Sequence, residues 1–97
     1  MKTEFSQSLI KEIGEFANLD PGSLIAAGIH SFLKEKKKEI LLEKLKFLSR
    51  YGVSDSNGLE NKIRTGEIAE HPAWEDLIVV ENLNAKLEQI DEYLGNL

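Results

Sequence analysis

The chain has 97 residues, enough for one small domain or for a small domain with an arm. It contains no cysteine, which excludes disulfides and thiol chemistry. His30 and His71 share no motif, so we expect no metal and no other cofactor. A chain this short buries only about 60–65% of its unfolded surface. We therefore expect a homo-oligomer, with a dimer as the simplest case.

The net charge of −5 is unevenly distributed. Residues 1–48 hold eight lysines and seven acidic residues, whereas residues 49–97 hold four basic and ten acidic residues. The acidic C-terminal half favours a basic partner and argues against nucleic-acid binding by that half. No apolar signal sequence follows Met1, and the longest mostly apolar run, residues 24–33, is shorter than the ~20 residues of a membrane span. These features predict a soluble, cytoplasmic protein without a membrane partner.

The N-terminal segment predicts a short helix and a turn. Met1, Thr3 and Phe5 alternate with Lys2, Glu4 and Ser6, which is compatible with one short strand over residues 2–6. Helical spacing follows in Leu9, Ile10, Ile13, Phe16 and Ala17. This first helix should end near Asn18. Asp20 is then a candidate N-cap with Pro21 at the first helical position, and Ser23 is the competing cap.

The second helix is predicted to be long, with two apolar stripes. The first stripe contains Leu24, Ile25, Ile29, Phe32 and Leu33, and the second contains Ile40, Leu41, Leu45, Phe47, Leu48 and Tyr51. Residues 34–39 have no apolar side chain, so the helix either crosses solvent there or bends. Gly28 should cost ~1 kcal/mol of helix propensity. Close approach of another helix would offset this cost, and the alternative is a glycine that the helix simply tolerates. The candidate dimerisation residues are Ile25, Gly28, Ile29 and Phe32. Gly52 is expected to end the helix.

Two further helices complete the prediction. Ser54 or Asp55 can cap a short third helix that Gly66 ends. The fourth runs from about Pro72 to about Leu94. Its apolar residues recur with spacings of 3, 4, 3 and 4, which forms a heptad seam of Val80, Leu83, Leu87, Ile90 and Leu94. Such a seam lies against another helix or in a groove. The predicted fold class is all-α: helix, turn, long helix, short helix and a C-terminal amphipathic recognition helix.

The single tryptophan, Trp74, stands near the start of the fourth helix. It is either a core residue or a hot spot that a partner buries. The acidic residues around it, Glu70, Glu75, Asp76 and Glu81, would favour a basic partner. The candidate partner contacts are Trp74, Glu75, Asp76, Leu77, Ile78, Leu83, Leu87 and Ile90.

No catalytic set is visible, so we do not expect an enzyme. His30 and Ser31 are sequence neighbours whose side chains diverge by ~100° on a helix. Phosphate-binding and dinucleotide-binding glycine patterns are missing. The candidates for DNA contact are Lys2, Lys34, Lys36 and Lys37. Interleaved glutamates and the lack of an aromatic residue within the lysine run favour a solvated helix face over a nucleic-acid site.

Three stretches carry a family resemblance: NLDPGSLIAAGIHSFLKEK from Asn18, KFLSRYGVS from Lys46 with the LENKIRTGE segment after it, and HPAWEDL from His71. Together they resemble small archaeal antitoxins, or antitoxin-like proteins, of type II toxin–antitoxin pairs. The resemblance implies a protein that inactivates a small toxin, often a ribonuclease, by laying a C-terminal helix on it.

Many antitoxins also dimerise through an N-terminal DNA-binding part and repress their own operon. Residues 2–33 loosely resemble a ribbon-helix-helix unit, but the ribbon would carry Glu4 and only one lysine, and the first helix is short. We divide the chain into a dimerisation part, residues 1–52, and an acidic partner-binding arm, residues 53–97. Two alternatives are a DNA-binding regulator without a toxin, and a structural helical homo-oligomer.

Overall fold

The computed structural model describes residues 6–97, and in this range the protein is all-α. Its four helices are α1 (Gln7–Ala17), α2 (Pro21–Ser49), α3 (Ser56–Arg64) and α4 (Glu70–Gly95). The predicted order of short, long, short and C-terminal helices is confirmed. The strand predicted over residues 2–6 lies outside the described residues except for Ser6, which caps α1.

The turn between α1 and α2 depends on Gly14. Asn18 ends α1 in the left-handed conformation, and the Leu19 N–H donates to the Gly14 carbonyl at 2.7 Å. A Cβ on Gly14 would lie 2.5 Å from the Leu19 carbonyl oxygen, so only glycine fits there without a shift. Asp20 then caps α2 by accepting from the Ser23 N–H at 3.2 Å, as predicted.

Helix α2 is continuous through residues 34–39, and most of these residues are exposed, as expected of a helix that crosses solvent there. The Lys37 ammonium pairs with the carboxylate of Asp91 in α4 at 2.6 Å. Because of this ion pair, the polar residues 34–39 can face another helix. Asp55 caps α3 through the Gly58 N–H at 2.8 Å. Gly66, with φ of 75°, follows the end of α3.

Helix α4 packs along both preceding helices. Its regular part starts at Pro72, after the non-helical His71 and a cis His71–Pro72 bond. One core cluster joins α3 to the start of α4 and contains Leu59, Ile63, Ala73 and Leu77. A second cluster joins α2 to the rest of α4 and contains Ile40, Leu83 and Ile90. The second cluster spans both predicted parts of the chain, and their division after residue 52 stays a prediction.

The molecule is elongated, with principal extents of 61, 29 and 17 Å. Its radius of gyration is 19.8 Å, whereas a compact domain of this length has about 12–13 Å. Both core clusters lie between Leu33 and Leu94. Helix α1 and the first part of α2 extend beyond this body.

Candidate protein-binding surfaces

The heptad seam of α4 is covered within the molecule. Leu83 and Ile90 are buried in the cluster with Ile40 of α2, and Leu87 packs against them. Leu77 is buried in the cluster with α3. These four predicted partner contacts therefore hold the fold together, and we remove them from the candidate surface. The seam pattern correctly indicated a neighbouring helix, which is α2.

Trp74 and Ile78 lie on the opposite side of α4 from this core. Their exposed fractions are 46% and 47%, and their spacing of four residues places them side by side on the helix. Trp74 is therefore not the core residue that one interpretation predicted. It borders a shallow groove with Ile63, Arg64 and His71.

Glu75 lies beside this pair and remains accessible, with its side chain 56% exposed. Its carboxylate contacts the His71 Nδ1 atom at 2.7 Å. Hydrogen bonding from its own backbone N–H, followed by the contact with His71, lowers the pKa of Glu75. The side chain is thus an anion at neutral pH, available to a cationic partner.

Asp76 is turned into the fold, unlike Glu75. Its side chain is only 14% exposed and lies 3.7 Å from the Arg50 guanidinium. The Tyr51 hydroxyl donates to its carboxylate, and burial, followed by this bond, raises the pKa of Tyr51 to about 12. The Lys62 ammonium donates to the Tyr51 carbonyl at 2.9 Å. Asp76 therefore ties α4 to the end of α2, and its predicted role as a direct partner contact does not fit this position.

Helix α4 as a whole is strongly acidic. The helix contains seven acidic residues and a single lysine, for a net charge of −6. Trp74 and Ile78 thus form an apolar patch on an anionic helix. We call this pair together with Glu75 the Trp74 surface.

The lysines proposed for DNA contact are partly neutralised. Lys36 pairs with Glu39 at 3.4 Å and Lys37 with Asp91 at 2.6 Å. Lys34 borders a groove lined by leucines of α2, and Lys2 lies outside the described residues. This arrangement is typical of a solvated helix face that bridges to a neighbour, and it weakens the case for a phosphate site.

The predicted dimerisation residues are exposed on the extended part of the molecule. Ile25, Ile29 and Phe32 are 51%, 44% and 66% exposed. A Cβ on Gly28 would meet nothing within 4 Å, so no contact of the described chain explains this glycine.

A second exposed apolar face was missed by the sequence analysis. Leu41, Leu42 and Leu45 of α2 are 45%, 53% and 61% exposed and line one groove. Leu41 and Leu45 were assigned to the same stripe as Ile40 and Leu48. Lys34, Lys38, Leu41 and Leu45 line the same groove and follow each other at spacings of four, three and four residues. This helical spacing was the available signal that they form a separate face.

Within residues 6–97 no three His, Cys, Asp or Glu side chains are grouped so that they could hold a metal ion. None of the described helices has the length and apolar character needed to cross a membrane.

A family model matches residues 1–97. The chain belongs to the uncharacterized protein MJ0235 family. No curated protein and no solved structure matches this member of the MJ0235 family.

Proposed function

We propose that the protein is a non-catalytic binding protein of the antitoxin type, which inactivates a small basic protein by holding it against the Trp74 surface. The observation that supports this most directly is the 46% exposure of Trp74 beside the 47% exposed Ile78. Tryptophan is strongly enriched among the few residues that dominate binding energy. An aromatic and an aliphatic side chain in one patch provide the apolar centre of an interface.

The surrounding charge indicates the kind of partner. Helix α4 has a net charge of −6, and Glu75 remains ionised next to Trp74. An anionic rim accelerates encounter with a cationic protein and disfavours acidic competitors. The apolar pair would then supply most of the affinity, and the carboxylates would set rate and specificity.

This proposal differs from the docking mode that the sequence suggested. The heptad seam cannot contact a partner while α2 covers it, because Leu83 and Ile90 are buried. The outer face of α4 would therefore act as a preformed surface, without separation of α4 from α2. A preformed surface avoids the entropic cost of ordering the helix during binding.

The first experiment isolates the partner and then measures its affinity. The tagged chain is used to recover binding proteins from its native cell extract at moderate salt, and the recovered protein is purified. Trp74→Ala should weaken its binding by about 2 kcal/mol or more, which is roughly 30-fold in Kd. Tyr93→Ala is the matched control, since Tyr93 is a 51% exposed aromatic residue of the same helix.

Three results would contradict the proposal. A loss below ~0.5 kcal/mol for Trp74→Ala would exclude the hot-spot role of this residue. Recovery of the chain alone would favour a structural homo-oligomer. Recovery of nuclease-sensitive complexes with DNA, whose affinity falls steeply with salt, would favour a DNA-binding regulator.

A further inference from the structure

The N-terminal hairpin of the molecule lacks a core of its own. We call this hairpin, formed by α1 and residues 21–32 of α2, the arm. Gly14 is the only buried residue of α1, and the buried residues of α2 are Ile40 and Leu48, both outside the arm. Six large apolar side chains of the arm are instead exposed: Leu9, Ile13, Phe16, Ile25, Ile29 and Phe32. Phe16 is the extreme case, with 89% of its surface exposed.

The solvent-accessible surface area of this chain exceeds that of a compact monomer of the same mass. A compact monomer of 10.9 kDa exposes about 5,600 Å². This chain exposes 7393 Å², an excess of roughly 1,800 Å². Residues 1–5 can contribute at most about 900 Å² of it by the scaling for an extended chain. At least about 900 Å² of excess surface then remains, which is enough for the ~800 Å² that each partner buries in a standard interface.

The chemistry of the arm selects a second copy of the same chain as the occupant. Residues 21–33 contain no Asp, Glu, Lys or Arg, although most of this stretch is exposed. An uncharged apolar face is compatible with itself across a two-fold axis, where the same residues meet on both sides. The surface of α4, with its net charge of −6, would repel its own copy.

We propose that the arm is a homodimer interface, in which two copies pack their α1–α2 hairpins face to face as a four-helix bundle. Phe16 and Phe32 would lie within the shared core, and Gly28 would allow the close approach of a helix from the other copy. The core clusters and the Trp74 surface lie outside the arm. The dimer would therefore present two Trp74 surfaces, and its formation does not depend on the proposed partner.

The test is the mass of the full chain in solution, measured by sedimentation equilibrium from about 1 to 100 μM. The expected result is a reversible dimer of twice 10.9 kDa. Phe32→Asp should raise the dimer Kd by at least about 100-fold, because it places a charge in an apolar interface. Phe16→Asp should have the same effect from the other helix of the hairpin.

Leu45→Asp is the matched control, since Leu45 is 61% exposed on the same helix but faces away from the arm surface. It should leave the dimer Kd unchanged, and circular dichroism should show intact helices in every variant.

A wild-type chain that stays monomeric at all concentrations would overturn the proposal. A dimer broken by Leu45→Asp and retained by Phe32→Asp would also overturn it, because the interface would then be the opposite face of α2. The Phe32→Asp chain should still bind the partner protein through the Trp74 surface. Measuring that binding therefore distinguishes failure of the dimer proposal from failure of the proposed function.

Discussion

Tyr51 occupies the junction of α2, α3 and α4, and its ionisation can be followed selectively. Its hydroxyl donates to Asp76, and its carbonyl accepts from Lys62 at 2.9 Å. Burial raises the pKa of Tyr51 to about 12, and the bond to Asp76 adds to this effect. The fold therefore favours the neutral phenol. The associated stability is complete below pH ~10 and is lost as the pH rises from ~10 toward 12.

A variant with a single tyrosine tests the raised pKa of Tyr51. The chain has two tyrosines, so Tyr93→Phe leaves Tyr51 as the only source of phenolate absorbance. At about pH 11, roughly a tenth of Tyr51 should be ionised, against about nine tenths for a tyrosine with a pKa of ~10. Circular dichroism at the same pH checks that the helices persist. Asp76→Asn should increase the ionised fraction, whereas ionisation near the ordinary pKa in the folded parent would contradict the partly buried, hydrogen-bonded position of Tyr51.

At the scale of the helices, the sequence predicted the candidate caps but not which element covers each apolar helix face. Asp20 and Asp55 were each one of two candidate caps, beside Ser23 and Ser54, and the structure selects them. The candidates could be named from the sequence because a cap depends on residues within one turn. The seam of α4 indicated a covering helix, but spacing contains no information on whether α2 or a partner covers it. Helix α2 is apolar on two sides, at Ile40 and at Leu45, and only the tertiary fold decides which side is buried. Of the predicted partner contacts, Trp74 and Ile78 therefore remain accessible, whereas Leu77, Leu83 and Ile90 are buried in the fold.

Two glycines of the arm provide a matched pair at this scale. In the Phe32→Asp background, Gly14→Ala and Gly28→Ala gain the same helix propensity of ~1 kcal/mol. The Cβ at position 14 would lie 2.5 Å from the Leu19 carbonyl oxygen, whereas the Cβ at position 28 meets nothing within 4 Å. Gly14→Ala should therefore destabilise the arm by a net ~1 kcal/mol or more, and Gly28→Ala should stabilise it by about 1 kcal/mol. Amide hydrogen exchange in α1 and α2 measures both changes, and equal effects of the two substitutions would show that the turn tolerates a side chain at position 14.

For the whole molecule, the two proposed interfaces differ in charge, so salt should weaken one of them and leave the other nearly unchanged. Residues 21–33 contain no charged side chain, and α1 contributes only Lys11, Glu12 and Glu15, with a net charge of −1. Raising ionic strength from about 0.05 to 0.5 M should therefore leave the dimer Kd within about twofold. The Trp74 surface belongs to a helix with a net charge of −6. The same salt increase should slow association with a basic partner by about tenfold and change dissociation little, because screening weakens long-range attraction more than apolar contact. Stopped-flow fluorescence of Trp74, the only tryptophan, reports association, and sedimentation reports the dimer. A salt-sensitive dimer with a salt-insensitive partner association would reverse the assignment of the two surfaces.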